Sequence, residues 1–229
     1  MIVAIDGPSA SGKSTIGRLV ARHLALPLVD TGLMYRAVTV LAVEAGVSPE
    51  DDRALAGLAQ DTLIEVNTSA DENPAWLVRA NGEDLGSRVF RAALAPVLSR
   101  VSQVEGVRHE MVRLQRRYAE GRGVVMVGRD IGTVVFPDAD LKLYIDASAA
   151  ERTRRRADQI RRGEREPLDA DAADVEVEVT DRDVADRGRT HSPLRPAEDA
   201  RRIDTDGRSV SEVFAEILSL IPGPSPGPA

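Results

Sequence analysis

Cysteine is absent from all 229 residues. That excludes disulfides, thiolate metal sites and a cysteine nucleophile. It fits a reducing cytoplasm, which is the expected location. Lysine is nearly absent too: of the 30 basic residues only Lys13 and Lys142 are lysines, and the rest are arginines. No apolar run approaches the ~20 residues a membrane helix needs, so no membrane partner is expected. No charged segment followed by an apolar stretch precedes the first apparent strand, so no signal peptide is expected. Net positive charge is lacking as well. A balance of −7 argues against broad nucleic-acid affinity. His23, His109 and His191 show no metal-ligand spacing.

What is present suits a globular enzyme. An apolar fraction of 42% fits a packed core, and the length fits one domain with an inserted subdomain. "MIVAID" reads as a buried strand. Lys13 to Leu24 follows as a helix, with Ile16, Leu19, Val20 and Leu24 on one face. "LPLVD" (26–30) reads as a strand, and Thr31 to Ala45 as a helix ended by Gly46. Ser48 is expected to cap the next helix, with Pro49 at its first position. From residue 61 the texture changes. "TLIEVNT" and "AWLVRANGEDL" read as short strands joined by turns at 68–74 and 81–84. Helices are expected from about 88 to 120, broken at Pro96. "GVVMVG" and "LKLYID" return as buried strands. Ser148 and Glu151 form a capping box opening "AAERTRRRADQIRRG". "DVEVEVT" (174–180) alternates apolar and acidic residues, which by periodicity is a strand. "RRIDTD" reads as a late strand. Ser209 to Ile221 is a last helix with Val210, Val213, Phe214, Ile217 and Ile221 on one stripe. "PGPSPGPA" cannot continue it and is read as a frayed tail. Strands alternating with helices imply an α/β fold with a parallel sheet covered on both faces. Ligands then bind at the carboxyl ends of its strands.

The rare lysine sits in "GPSASGKST". Gly7-x-x-x-x-Gly12-Lys13-Ser14 matches the phosphate-binding loop pattern, with an apolar strand before it and a helix after it. The glycines let backbone N–H groups face a phosphate chain, and the helix adds the positive end of its dipole. Lys13 supplies a compact charge where arginine's planar fork does not fit. Ser14 would offer its hydroxyl to Mg²⁺. Such a loop binds a nucleoside triphosphate in a phosphotransfer enzyme or in a GTPase switch. A switch needs an N/T-K-x-D segment to read guanine. Lys142, the only other lysine, lies in "DLKLYID", so that segment is missing. Two polar clusters favour a kinase: "VDTGLMYRA" (29–37) and "MVGRDIGTVVFPDA" (126–139) each place charged residues at a strand end. Arg182, Asp186 and Arg189 are spaced i, i+4, i+7 and would share a helix face.

The stretches "IDGPSASGKST", "DTGLMYRA", "LSRVSQVEGVR", "GRDIGTVVFPDADLKLYIDASAAER" and "DRDVADRGRTHSPL" resemble the bacterial cytidylate kinases. The resemblance covers about residues 2–221. It implies a P-loop kinase fold with a parallel five-stranded sheet between two layers of helices. The core would take residues 1–60, 88–150 and 190–221. A monophosphate-binding insert would take 61–88, a helical lid 152–189, and the tail 222–229. The implied reaction is ATP-dependent phosphorylation of CMP and dCMP, with Mg²⁺, by a monomer that binds no nucleic acid. ATP would be held by Gly7, Pro8, Ser9, Ala10, Ser11, Gly12, Lys13, Ser14 and Thr15. Arg152 and Arg156 would join them from the lid. Arg36, Arg129 and Arg189 would meet the acceptor phosphate, and Thr31 would join the CMP-binding residues. Ser102, Arg108 and Asp130 would surround the cytosine, and Arg182 and Asp186 the ribose. Lys13, Arg129, Arg182 and Arg189 would carry the catalytic charge neutralisation. The resemblance also overrides the strand reading of 174–180 in favour of a helix. An acceptor such as UMP, AMP or a non-nucleotide is the alternative within the same class. Val127 stands where the family often has an acidic residue, Leu33 where it has a small one, and Thr31 where it has serine. The first departure removes a carboxylate that could help hold Mg²⁺.

Overall fold

The computed structural model describes residues 1–67, 77–162 and 172–221. The chain opens with β1 (Ile2–Asp6), α1 (Lys13–Leu24), β2 (Leu28–Asp30), α2 (Thr31–Glu44) and α3 (Asp52–Asp61). Three short strands follow: β3 (Ile64–Asn67), β4 (Leu77–Ala80) and β5 (Glu83–Asp84). Then come α4 (Ala95–Val101), α5 (Glu105–Arg117), β6 (Val124–Val127) and β7 (Leu141–Asp146). The chain finishes with α6 (Ala149–Arg161), α7 (Ala172–Arg187), β8 (Arg201–Asp204) and α8 (Val210–Leu220).

Five strands form a wholly parallel sheet in the order β2-β6-β1-β7-β8. β1 is central and buried on both faces, which is why it reads as one apolar run. Val3 and Ile5 point to a core shared with α1 and α8, while Ala4 joins Val124 and Met126 on the opposite face. Val213 and Ile217 of α8 are buried there, each worth about 1.5–3 kcal/mol. α1 lies unusually near the sheet. A Cβ on its Gly17 would stand 2.6 Å from Val127 Cγ2 and 3.2 Å from Leu28 Cδ1. The antiparallel sheet β3-β4-β5 turns at Asn81–Gly82, both with positive φ. Its Ile64, Val66, Val78 and Ala80 share a core with α2, α3, α4 and α5, so the insert is packed through the domain's own helices.

Several local expectations need correction. Ser48 does not cap α3. Asp51 does, accepting from Ala54 N at 2.9 Å, while Ser48 Oγ accepts from Glu50 in a preceding turn. An ionised side chain outcompetes a hydroxyl for this N-terminal position. Pro96 begins α4 rather than breaking a helix, since its missing N–H costs nothing in a first turn. The break falls at 102–104. The box at Ser148 is half formed. Ser148 Oγ accepts from Glu151 N at 3.3 Å, but Glu151 turns its carboxylate to Arg154 and Arg155. Ser209 and Glu212 form a complete box. Residues 174–180 lie within α7, the helix that the resemblance favoured over the strand suggested by periodicity. Val177 is exposed on α7, and so is Val210, which the stripe on α8 had placed inside. The turn at 68–74, part of the lid and the tail lie outside the described residues.

Candidate active site

The carboxyl ends of β1, β2 and β6 open on one cleft of about 420 Å³. At one end the phosphate loop runs from β1 into α1. Gly7 has φ +145°, and a Cβ there would sit 2.0 Å from the Ile145 carbonyl oxygen, so no side chain fits. Gly12 caps α1 with φ 97° and presents the first helical turn to the cleft. Lys13 Nζ is buried and donates to Pro8 O and, at 3.4 Å, to Ser11 Oγ. Burial, with Arg129 nearby, holds its pKa well below the usual lysine range. Ser14 Oγ donates to Asp30 Oδ2 at 2.6 Å, and Asp30 Oδ1 caps α2 through Gly32 N. Ser9, Ala10, Gly12, Lys13, Ser14 and Thr15 line the cleft, whereas Gly7, Pro8 and Ser11 are buried and do not line it.

α6 brings arginines to the same loop. Arg156 lines the cleft and donates to Gln159 Oε1 at 2.9 Å. Arg152 is turned away from it. It makes a bidentate pair with Asp183 of α7 at 3.0 and 2.6 Å and reaches Ser9 O at 3.4 Å. Arg155 donates to Ser11 O at 3.1 Å and to both oxygens of Thr205.

The other end of the cleft is assembled from distant segments. Arg36 (α2) donates to Val89 O at 2.7 Å, and burial lowers its pKa to about 10. Arg129 Nε meets Asp186 Oδ2 at 2.8 Å, and Arg182 Nε lies 3.3 Å from Oδ1. Arg189, two residues beyond the end of α7, donates to Asp186 and to Ser102 Oγ at 3.0 Å. Asp186 is fully buried. Burial alone would raise its pKa, but Arg129, Arg182 and Arg189 outweigh it and hold it down to about 2. Arg108 Nη2 pairs with Asp130 Oδ2 at 2.5 Å, both buried, and Arg108 stacks over the Tyr35 ring at 5.4 Å. Thr31 Oγ1 donates to Val127 O at 2.9 Å and ties β2 to β6. Arg108 Nε and Arg189 Nε are buried donors without a partner among the described residues.

A family model described as cytidylate kinase matches residues 3–223. The chain belongs to the cytidylate kinase family. The cytidylate kinase of Geobacter sulfurreducens is 44% identical over 222 residues, covering 96% of this chain and 92% of its own. That of Geobacillus thermodenitrificans is 44% identical over 220 residues, covering 96% and 95%. Among solved structures, TT1252 from Thermus thermophilus aligns over 97% of this chain and 98% of its own at 19% identity and a TM-score of 0.47.

In this chain most residues expected at the site do converge. Thr31, Arg36, Ser102, Arg108, Arg129, Asp130, Arg182 and Arg189 all line the cleft. Asp186 does not line it and instead gathers three arginines from behind. Residues that the motifs did not single out also brace the loop and the lid helix. Arg155 was legible in principle, because 152, 155 and 156 are i, i+3, i+4 and must share a helix face. Asp183 and Thr205 carried no signal, since their partners are remote in sequence. No helix among the described residues is long and apolar enough to cross a membrane.

Proposed function

We propose that this kinase moves the terminal phosphoryl group of ATP to CMP or dCMP, giving ADP and CDP or dCDP. The observation that carries the reading is the buried Arg108–Asp130 pair beside Ser102, across the cleft from the phosphate loop. An aspartate accepts from cytosine's exocyclic amine. Uracil presents a carbonyl at that position and would set acceptor against acceptor. The unpartnered Arg108 Nε adds a donor beside the same edge.

The acceptor phosphate is already anionic, so no strong base is needed. The work is positioning and neutralisation of spread charge. Arg36, Arg129, Arg182 and Arg189 supply guanidinium forks matched to phosphate oxygens. Asp186 offsets the mutual repulsion of Arg129, Arg182 and Arg189 and fixes their orientation, while Arg36 is held by Val89 O. Lys13 meets the donor phosphates, with N–H groups of the loop around it. Arg155 braces that loop, and Arg156 faces the cleft from the lid helix. The pair Ser14 and Asp30 offers adjacent hard oxygens at the cleft floor, which fits Mg²⁺. Those two residues would hold it, and Val127 adds none. Bound there, the ion would neutralise phosphate charge. We read the enzyme as a monomer that binds nucleotides and no nucleic acid.

A coupled assay of ADP release with CMP, dCMP, UMP, AMP and GMP tests this. CMP and dCMP should lead by at least about tenfold. Equal or faster turnover of UMP or AMP would displace the reading.

A further inference from the structure

Asp6 ends β1 and stands directly before Gly7, yet neither the phosphate loop nor the acceptor grip uses its side chain. It is 4% exposed. Its two oxygens divide between two backbone donors: Oδ1 accepts from Ile131 N at 2.8 Å and Oδ2 from Gly132 N at 2.7 Å. These are the opening N–H groups of the wide, π-type helical turn Ile131–Val135. Inside that turn the hydrogen bonds run from Val134 and Val135 to Asp130 O and from Phe136 to Ile131 O. The first donors therefore have no partner within it. Arg116 of α5 satisfies the far end, donating to Val134 O at 2.8 Å and Val135 O at 3.0 Å.

Arg129 and Asp130 immediately precede this turn. Asp6 is thus joined through its main chain to the phosphate loop and through two hydrogen bonds of its carboxylate to the segment that carries the proposed acceptor grip. Placing a carboxylate there is costly. Burial pushes its carboxyl up to about 7, against the pull of the Gly132 and Ile131 N–H bonds, with Asp130 repelling it and Lys13 favouring it. A neutral residue of the same size would avoid that penalty but could not satisfy both N–H groups.

We propose that Asp6 is a positioning residue that sets the Arg129–Asp130 segment against the phosphate loop. It fixes how the acceptor's phosphate and base meet the donor. This rests on the acceptor reading given above.

Asp6→Asn tests it without changing shape. Asparagine leaves one accepting oxygen and turns its NH₂ toward the other N–H. The expected result is a rise of about tenfold in KM for CMP and a narrowed preference for CMP over UMP. KM for ATP should move less than about twofold, because the loop backbone is fixed by Gly7 and the sheet. CMP binding by calorimetry should weaken in step. A lower melting temperature with unchanged CMP constants and unchanged CMP/UMP preference would reduce Asp6 to a structural cap and overturn the proposal. If Asp6→Asn does not fold, Arg116→Gln loosens the same turn from its other end. It should raise KM for CMP in the same direction with KM for ATP unaltered, and an unchanged KM for CMP would overturn the proposal. Absence of CMP turnover in the wild-type enzyme would instead remove the acceptor reading, so the two failures are distinguishable.

Discussion

The two ends of the cleft are built by opposite means. The end proposed for the donor is built on one contiguous loop between β1 and α1, with Lys13 and a helix end for charge and Arg155 and Arg156 of α6 set against it. The acceptor end draws side chains from α2, α5, α7 and the segments around 102, 129 and 189, and its arginines pair with the chain's own carboxylates. A backbone site tolerates change in its side chains but not in its glycines. A side-chain site is a lattice in which removing one member unpairs others. On the proposed assignment, selectivity would belong to the acceptor end and phosphate affinity to the donor end.

The largest effect should come from the one donor-end side chain that cannot be replaced. Lys13→Ala should lower kcat at least about a thousandfold with an unchanged circular dichroism spectrum. Lys13→Arg should fail similarly, because the fork cannot sit where a point charge does. Turnover above a tenth of wild type would break the contrast.

Next comes the acceptor lattice. Asp130→Asn gives a donor where only acceptors stood. It should cost about 2–4 kcal/mol in kcat/KM for CMP and narrow the gap to UMP, with ATP affinity little changed. Retained discrimination would mean that Asp130 does not read the base.

That asymmetry also sets how much the sequence discloses. The donor end is contiguous, so glycines, lysine and serine at fixed spacing announce it. The acceptor end is scattered, and "SQVEGVR" or "GRDIG" gain meaning only through resemblance. The Arg152–Asp183 and Arg155–Thr205 contacts span 31 and 50 residues, and no local pattern marks either. The sheet was legible because its strands are apolar runs between turn residues. α7 was not, because Val175 and Val179 are buried at i, i+4 while Val177, exposed between them, makes the same letters alternate as in a strand.

A smaller effect concerns acid. Asp186 has its pKa lowered from 3.8 to about 2. Its ionised form stabilises the fold above pH ~4, and that contribution is lost as pH falls through about 2, a change of about 2 kcal/mol. In Asp186→Asn, urea-measured stability should lose this part of its pH slope between 4 and 2. An unaltered slope would show that the arginines are not coupled through this carboxylate.

Smaller again, Arg155→Ala removes a brace of the donor loop. It should raise KM for ATP several-fold, about 1 kcal/mol, and leave KM for CMP alone. A shift in KM for CMP instead would blur the division between the two ends. Removing residues 223–229 should move neither melting temperature nor activity, since a Pro/Gly segment past the last helix buries little. A drop of several degrees in a thermal melt would overturn that.

The close seat of α1 on the sheet has a consequence for how this sequence can drift. Position 17 has no room for even a methyl group, and the wall it would strike is Val127 Cγ2. Val127, at the end of β6, is thus also the shim that sets the height of the helix leaving the phosphate loop. Swapping it back to a carboxylate would alter that spacing along with the local charge. A change at either position therefore alters both the sheet's packing and the seat of the loop above it.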